Sequence, residues 1–599
     1  MNQSPFGAPN KGPDSKNFLL AMLLSMAIIF GAQYFGLPGL FPAPAQQQTT
    51  TQPAAGQTAQ VPGSTTAAAG AIVDVAATLA APPRVKIDTP ELSGSVNLVG
   101  AQFDDLHLKN YREKADPNSA TITLLSPSNT KHAYFADQGF VPAAGQTVKV
   151  PDAKTLWTAP DGAVLNETTP LVLIWDNGAG VTFRREISIS EDYLFTVRQS
   201  VENKTAAPVV LLPYARVQRQ GTPKVEGYFS FFEGLLGMQD GKLIEHHYSD
   251  MADDKLKIET PTKGGWLGFT DKYWGTSLIP EQARPIKTTY QYLRQADRDV
   301  YQTDYVATEP LVVQAGAVGL YEDHVFAGAK IVANIDAVDA KLNLNNFRYM
   351  IDWGWFYFLT QPMFMLMSWA KGLLGNFGLA ILLVTVIVKL AVFPLANKSY
   401  ASMSKMKKLQ PEMERIKAAH PDDKVKQQQE IMEMYKKEKV SPLSGCLPIF
   451  VQIPIFFAIY KVILTSIELR HAPFFGWIKD LAAPDPTSLF NLFGLLSFTP
   501  PHFLMLGVWP ILMGITMWVQ MRLNPTPADP IQASMFNWMP LLFTFMLASM
   551  PAGLVIYWTW SNLLSILQQS FIMKRNGTEI DLFGNIKDSI PFLKKKTST

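Results

Sequence analysis

Two patterns of apolar residues divide this chain. Between residues 84 and 345 the apolar positions come in short runs, rich in β-branched residues and separated by Gly, Pro and Asn. In VTFRREISIS, every second position (Val181, Phe183, Arg185, Ile187, Ile189) falls on one face of a strand. LVLIWDNGAG ends an apolar run in a turn at Asp176–Gly180. APVVLLPYARVQRQG and TEPLVVQAGAVGLYEDHVFAGAKIV repeat the theme. So long a stretch of this pattern predicts a large antiparallel β-sandwich over 84–345.

Elsewhere the apolar runs are long. Phe18–Leu37, Phe377–Leu395, Leu447–Leu464 and Phe503–Met521 each approach the roughly 20 residues that cross a bilayer as a helix. Phe536–Ile572 is roughly 55 Å as one helix, too long for one crossing. MPAG at Met550–Gly553 divides it, because proline and glycine form turns. The reading is six spans, at 18–37, 377–396, 446–466, 503–522, 535–550 and 552–573. FYFLTQPMFMLMSWAKGLLGNFG, with Pro362, Trp369 and Lys371, reads as an interfacial amphipathic helix over 356–375. The expected fold class is a polytopic α-helical membrane protein with a large extracytoplasmic β-sandwich domain.

The first run admits two readings. A cleaved signal peptide has a shorter apolar core and a small-residue site, for which APA at Ala43–Ala45 would serve. An uncleaved signal anchor fits the length better. Lys11 and Lys16 before it place residues 1–17 in the cytoplasm. Residues 43–70 carry no charge and no aromatic, so 43–83 is expected to be a flexible linker to the β-domain.

Charge provides a separate check on the topology. Residues 397–441 are rich in Lys and Arg, and so is the tail, 574–599. The segment 467–502 has only Arg470 and Lys479, and 523–534 is a short loop. Six spans with a cytoplasmic N-terminus put both basic segments inside and 467–502 outside, as the positive-inside rule requires. The net charge of +2 offers no case for nucleic acid, and DNA is not an expected partner. One cysteine, Cys446, can form neither an intrachain disulfide nor a cysteine zinc site, so the exported domain must be held by its core.

One charge lies within a span. Lys389 sits in FGLAILLVTVIVKLAVFPL, where a lysine costs about 2.5–3.5 kcal/mol on insertion scales. It can snorkel to the cytoplasmic interface, roughly 9 Å away at Leu395. Alternatively it faces a hydrated cavity within the bundle. Thr385 lies one turn before it on the same face. Gln452, Tyr557, Ser561, Asn562, Gln568 and Gln569 are polar groups in other apolar runs. A partly hydrated groove is a common destination for them.

In the cytoplasmic segment 397–441, Met403, Met406, Leu409, Met413 and Ile416 form a helical stripe. HPDD at His420–Asp423 makes a turn, with Asp422 or Asp423 placed to cap a second helix. Val425, Ile431, Met432 and Tyr435 give the second stripe. The product is a helical hairpin, whose Met-rich face either packs on itself or also contacts apolar partner segments. The tail PFLKKKTST is a topology signal, or touches anionic lipid or ribosomal RNA. There is no Walker phosphate loop and no His-Glu-x-x-His motif, and His246–His247 is a lone pair. No enzyme, metal or cofactor is expected.

LQPEMERIK, YKKEKVSPLSGCLPIFVQIPIFFAIY, ELRHAPFFGWIKDL and PAGLVIYWTWSNLLSILQQ closely resemble the YidC membrane protein insertases of Gram-negative bacteria, relatives of the mitochondrial Oxa and plastid Alb proteins. The resemblance is close over about 350–575. It is looser over 84–345, where KGGWLGF and the aromatic run from Trp353 to Phe358 carry it. It implies a five-helix insertase core whose hydrophilic groove opens to the cytoplasm and to lipid. The family's groove has a basic residue, usually arginine, where this chain has Lys389. Lysine lacks arginine's bidentate fork. Thr385 matches the family's threonine, and Gln452, between Pro448 and Pro454, its glutamine. Tyr557 and Trp558 match its tyrosines after GLV, the second a departure. The stretch Leu489–His502 is also a departure.

The resemblance implies an insertase and chaperone working without ATP. Its clients would be nascent membrane proteins and its surroundings the lipid bilayer. The Sec translocon (SecYEG and SecDF) would be a partner, with the ribosome and the signal recognition particle receptor as further candidates. Two rival readings are a solute transporter with a lysine site and a membrane-anchored carbohydrate enzyme. The transporter predicts inverted repeats with matching broken helices, and no such pair is visible between the early and late spans.

Overall fold

A computed structural model describes residue 61 and residues 72–577, apart from 82, 129, 224–230, 296–297, 345, 355, 422, 441–446, 497, 499, 502–504 and 525–529. The expected first span at 18–37 and nearly all of the basic tail lie outside these residues. The described residues fall in two compact units, one within Ala45–Asp352 and one within Trp353–Thr599 apart from Thr465–Glu468.

The first unit is built on two sheets. Along the main path of the larger, the strands run Lys257–Lys263, Pro285–Gln295, Arg298–Ala307, Val209–Gln220, Tyr134–Pro142, Gln102–Arg112, Leu92–Asn97, Arg84–Asp88 and Val164–Leu165. The other sheet runs Lys242–His247, Gly234–Gln239, Trp266–Thr270, Trp274–Ile279, Val318–Ala329, Leu194–Asn203, Val181–Ile189 and Leu171–Asp176. Pairing is antiparallel except where Lys86–Ile87 meets Val164–Leu165 in parallel. The hairpin around Asp176–Gly180 forms because Gly178 and Gly180 supply positive φ and Asp176 accepts from the Gly178 N–H at 2.7 Å.

Alternation decides which side chains go inside. In Val181–Ile189 the odd-numbered positions are buried and the even ones are partly or fully exposed. Phe183 meets Phe140, and Phe195 meets Phe103, across the two sheets. Arg185 shares this inward row and is 2% exposed. Its guanidinium donates to Ala101 O at 3.1 Å, Gln138 O at 2.5 Å and Gln199 Oε1 at 3.2 Å, and lies 5.0 Å from the Trp157 ring. A buried cation held by carbonyls of the opposite sheet ties the two layers at one register. Most of the expected linker, 43–83, lies outside the described residues. Asp74 caps a short helix, Val75–Ala80, and Val61 packs with Tyr214 and Val306.

The second unit is helical. The described residues form α1 (Tyr357–Leu374), α2 (Phe377–Ala391), α3 (Phe393–Lys408), α4 (Gln410–Ala419), α5 (Lys424–Lys437), α6 (Leu447–Thr465), α7 (Val508–Leu523), α8 (Pro530–Leu547) and α9 (Ala552–Arg575). α1 ends on left-handed Gly375, and Asn376 at once caps α2 by accepting from Leu379 N at 3.1 Å. α7 and α9 pack together around Met513, Met517 and Val555. α8 closes on α7 at Gly514, where an added Cβ would collide with Thr544 Oγ1.

Several expected boundaries move. The span expected over 377–396 stops as a helix at Ala391, and α3 resumes at a 67° bend. Pro394 in the first turn of α3 has no N–H and would clash with a continuing helix. The stripe Met403–Ile416 is not one helix, because Pro411 starts α4 after Leu409. The span expected from 503 begins as a helix only at Val508, and the last two helices are divided before Pro551. Among the described residues no single helix is long and apolar enough to cross a membrane, although the bent pair α2–α3 passes that test together.

Buried acids give the β-domain a pH dependence. Asp323 accepts from Tyr305 OH at 2.6 Å, and burial pushes its pKa up to about 7. Asp304, also raised by burial, titrates at about 6. Both folded values lie above the unfolded value of about 3.9, so the folded state holds protons that the unfolded chain has released. Stability from these groups is full below about pH 4 and falls as pH rises to about 7. Asp323→Asn is expected to remove the fall between pH 6 and 7 and to roughly halve the slope between pH 4 and 6, where Asp304 still contributes. Thermal unfolding of the β-domain in the solubilised full chain, scanned by pH, measures this, and an unchanged profile contradicts it.

Candidate functional site

Three helices converge on Lys389. The break before Pro394 puts it in the last turn of α2, where unpaired carbonyls favour a cation. Its Nζ donates to Gln452 Oε1 of α6 at 3.3 Å and to Ser565 Oγ of α9 at 2.8 Å. Gln452 Nε2 in turn donates to Tyr557 OH, and Ser565 Oγ donates to Ser561 O at 2.8 Å. Both chains of hydrogen bonds run away from the ammonium, so the acceptor ends of their dipoles face it. An ammonium has three donors. Among the described residues two are taken, and Lys389 keeps partial exposure.

The other expected site residues divide. Tyr557 and Ser561 are buried beside this network on α9. Thr385 is buried one turn before Lys389, but its hydroxyl donates to Ile381 O at 2.6 Å within its own helix. It does not join the amide and hydroxyl cluster. Trp558 does not join it either. One residue beyond Tyr557 the helix has turned about 100°. The indole there packs between Phe456 and Phe543, at ring distances of 4.7 and 5.7 Å.

Ser565 was not singled out from the sequence. The signal was available: Tyr557, Ser561, Ser565 and Gln569 repeat every four residues, one polar stripe along α9. Two further bridges follow that helix. Asn562 Nδ2 donates to Thr516 Oγ1 of α7 at 3.2 Å, and Gln569 Nε2 donates to Asn524 Oδ1 at 3.0 Å. Trp560 Nε1 donates to Leu382 O of α2 at 3.2 Å.

The hairpin residues also separate. Asp423 caps α5 by accepting from Lys426 N at 3.0 Å. Met413 and Ile431 are buried where α4 meets α5, and Tyr435 OH reaches Met413 Sδ at 3.6 Å. Met403 instead packs with Tyr400 and Ile572, so it holds α3 against α9, and Met406 joins the edge of that cluster. Leu409, between α3 and α4, is half-buried. Val425 and Met432 are exposed, at 67% and 48%. The second stripe therefore does not all turn inward, and α5 keeps apolar side chains for contact.

The geometry defines a class. This is an apolar helical bundle with a cation held among amide and hydroxyl groups, in a chain that also carries a large β-rich domain. Comparison with known proteins makes it particular. Residues 84–366 match the family described as YidC periplasmic domain, and residues 369–579 match the 60Kd inner membrane protein family. A membrane protein insertase YidC of Bradyrhizobium diazoefficiens is 50% identical over 618 residues, covering 98% of this chain and 100% of that one. Its counterpart in Rhizobium etli is 49% identical, covering 96% of this chain and 98% of that one. A crystal structure of an active YidC insertase with its first transmembrane domain resolved is 18% identical, with a TM-score of 0.34, over 82% of this chain and 94% of that one. The chain belongs to the YidC family of membrane protein insertases, inner membrane proteins with a periplasmic domain. It is an insertase and not an enzyme.

Partial exposure of Lys389 makes water access measurable. A cysteine at 389, in a Cys446→Ser background, is expected to react with a water-soluble maleimide several-fold faster than one at buried Val384. Equal, slow reaction at both positions would mean that no water reaches the cation.

Proposed function

We propose that this chain inserts integral membrane proteins, and helps them fold, through a polar groove centred on Lys389. The observation that carries the reading is the Lys389 ammonium, anchored by Gln452 and Ser565, with a third donor that no described residue takes and that would serve a client. A client's hydrophilic external segment enters from the cytoplasm. Its acidic residues are drawn to the ammonium in surroundings of low dielectric, where the attraction exceeds that in water. Burial of the client's apolar span in lipid, at about 25 cal/mol per Å2, then drives release outward. No nucleotide is required.

In this reading the chain crosses the inner membrane six times, with both termini in the cytoplasm and the β-domain in the periplasm. α2 and the start of α3 supply the second crossing, and α6, α7, α8 and α9 the last four. The α4–α5 hairpin, with Met432 and Val425 outward, receives apolar client segments. The Sec translocon, the ribosome and the signal recognition particle receptor are the partners this arrangement would serve.

The test uses clients with acidic external segments, inserted into vesicles holding the purified protein. Lys389→Arg is expected to keep insertion, because the charge stays. Lys389→Ala is expected to lower it roughly tenfold, equivalent to about 1.4 kcal/mol. A neutral external segment is expected to lose little. Equal insertion of the acidic client by Lys389→Ala and the unmodified protein would remove the electrostatic role.

A further inference from the structure

The stretch from Ser488 to Phe498 takes no part in the groove, yet it is built with care. It carries no charge, and none occurs between Asp485 and Arg522. Its base is fixed. Asp485 accepts from Trp477 Nε1 at 3.1 Å, from Thr487 Oγ1 at 2.6 Å and from Trp509 N at 3.0 Å. Gly507 packs so closely on Asp485 that an added Cβ would lie 2.5 Å from its carboxyl carbon. Leu489 N donates to Leu506 O at 2.8 Å and closes the loop at the start of α7.

The tip is apolar and faces outward. Phe493 N donates to Ser488 O at 2.7 Å across a short 3-10 turn, with Leu492 and Phe493 both left-handed at φ 52° and 57°. Such angles are uncommon for side chains of this size. The turn leaves Leu492, Phe493, Leu495 and Phe498 at 50, 47, 85 and 51% exposure. A monomer in water rarely tolerates a contiguous patch of this kind.

We propose that this loop is a lipid anchor, its tip seated among the acyl chains of the periplasmic leaflet beside the entry to α7. The acyl region is the occupant the surroundings favour. Leu506, which accepts from Leu489 N, lies two residues before α7, whose Leu512 and Ile515 are exposed in the same apolar manner, so exposed apolar side chains occur on both sides of this base. The exposed Trp477 ring, with its N–H turned inward to Asp485, suits the headgroup level next to it. A protein partner would be expected to meet charges at the rim, and the stretch from Leu489 to Phe498 carries none. The proposal rests on the periplasmic placement of residues 467–502 made above.

The experiment labels a cysteine at Leu495, in a Cys446→Ser background, with an environment-sensitive fluorophore and reconstitutes the full chain in lipid vesicles. Leu492→Cys repeats it should Leu495→Cys express poorly. Quenching by lipids carrying a nitroxide high on the acyl chain, with iodide quenching several-fold below that of a label at exposed Lys479→Cys, is expected. Iodide quenching equal to that control, without lipid quenching, would place the tip in water and overturn the anchor. Protection from both quenchers would mean that protein covers the tip, and would overturn it equally. The side is tested separately. A membrane-impermeant thiol reagent should reach Lys479→Cys in spheroplasts. Reaction only in inverted vesicles would overturn the periplasmic leaflet while leaving the lipid contact to the quenching result.

Discussion

An ammonium inside an apolar bundle has to be solvated by something other than its own helix. Within α2 the residues beside Lys389 are Val388 and Leu390, and Thr385 one turn back bonds to Ile381 O instead. Its partners must come from α6 and α9. That requirement links three helices at one level, because Gln452 and Ser565 meet the same nitrogen while Gln452 also reaches Tyr557. The bend before Pro394 is part of the same solution. By ending α2 it places the cation in the last turn, next to carbonyls that a longer helix would have consumed.

The β-domain meets a related constraint by different means. It has no cysteine, so no disulfide constrains it. Its layers are joined by aromatic packing and by the buried Arg185, and further buried ion pairs lie within one sheet. Arg185 reaches carbonyls of the opposite sheet, while Arg216 pairs with Asp137 and Arg84 with Asp104 within the larger sheet. Removing one member of such a pair leaves an uncompensated buried charge, which costs more than the pair itself contributes. The arrangement specifies register more than it adds stability.

Helix contacts in the second unit are set by small residues and adaptable ones. Gly514 lets α7 and α8 approach at Thr544, and methionines from α7 fill the space toward α9. Met403 belongs to this internal packing, while Met432 remains outside. Two methionines of similar spacing on a helical stripe thus end in different surroundings. The helix that carries Met403 is held against α9, whereas α5 packs on α4.

Several local features agree with the sequence pattern: the alternation of Val181–Ile189, the turn at Asp176–Gly180, a cap at Asp423, one of the two aspartates placed for it, and the break at MPAG, whereas the breaks at Pro394 and Pro411 depart from it. Each depends on residues within a few positions of one another, where φ preferences and side-chain periodicity act directly. The family and the insertase function also follow from the linear sequence, through long ordered motifs. The partners of Lys389 do not. Ser565 lies 176 residues away and Gln452 63, and no periodicity relates them. Trp558, next to Tyr557, packs among Phe456 and Phe543 because one step along a helix turns a side chain by about 100°. The sequence alone determined which segments are strands, which are helices and where a charge enters an apolar run. Only the tertiary structure decided what that charge touches, because the contact is made by the packing of separate helices, which local preferences do not encode.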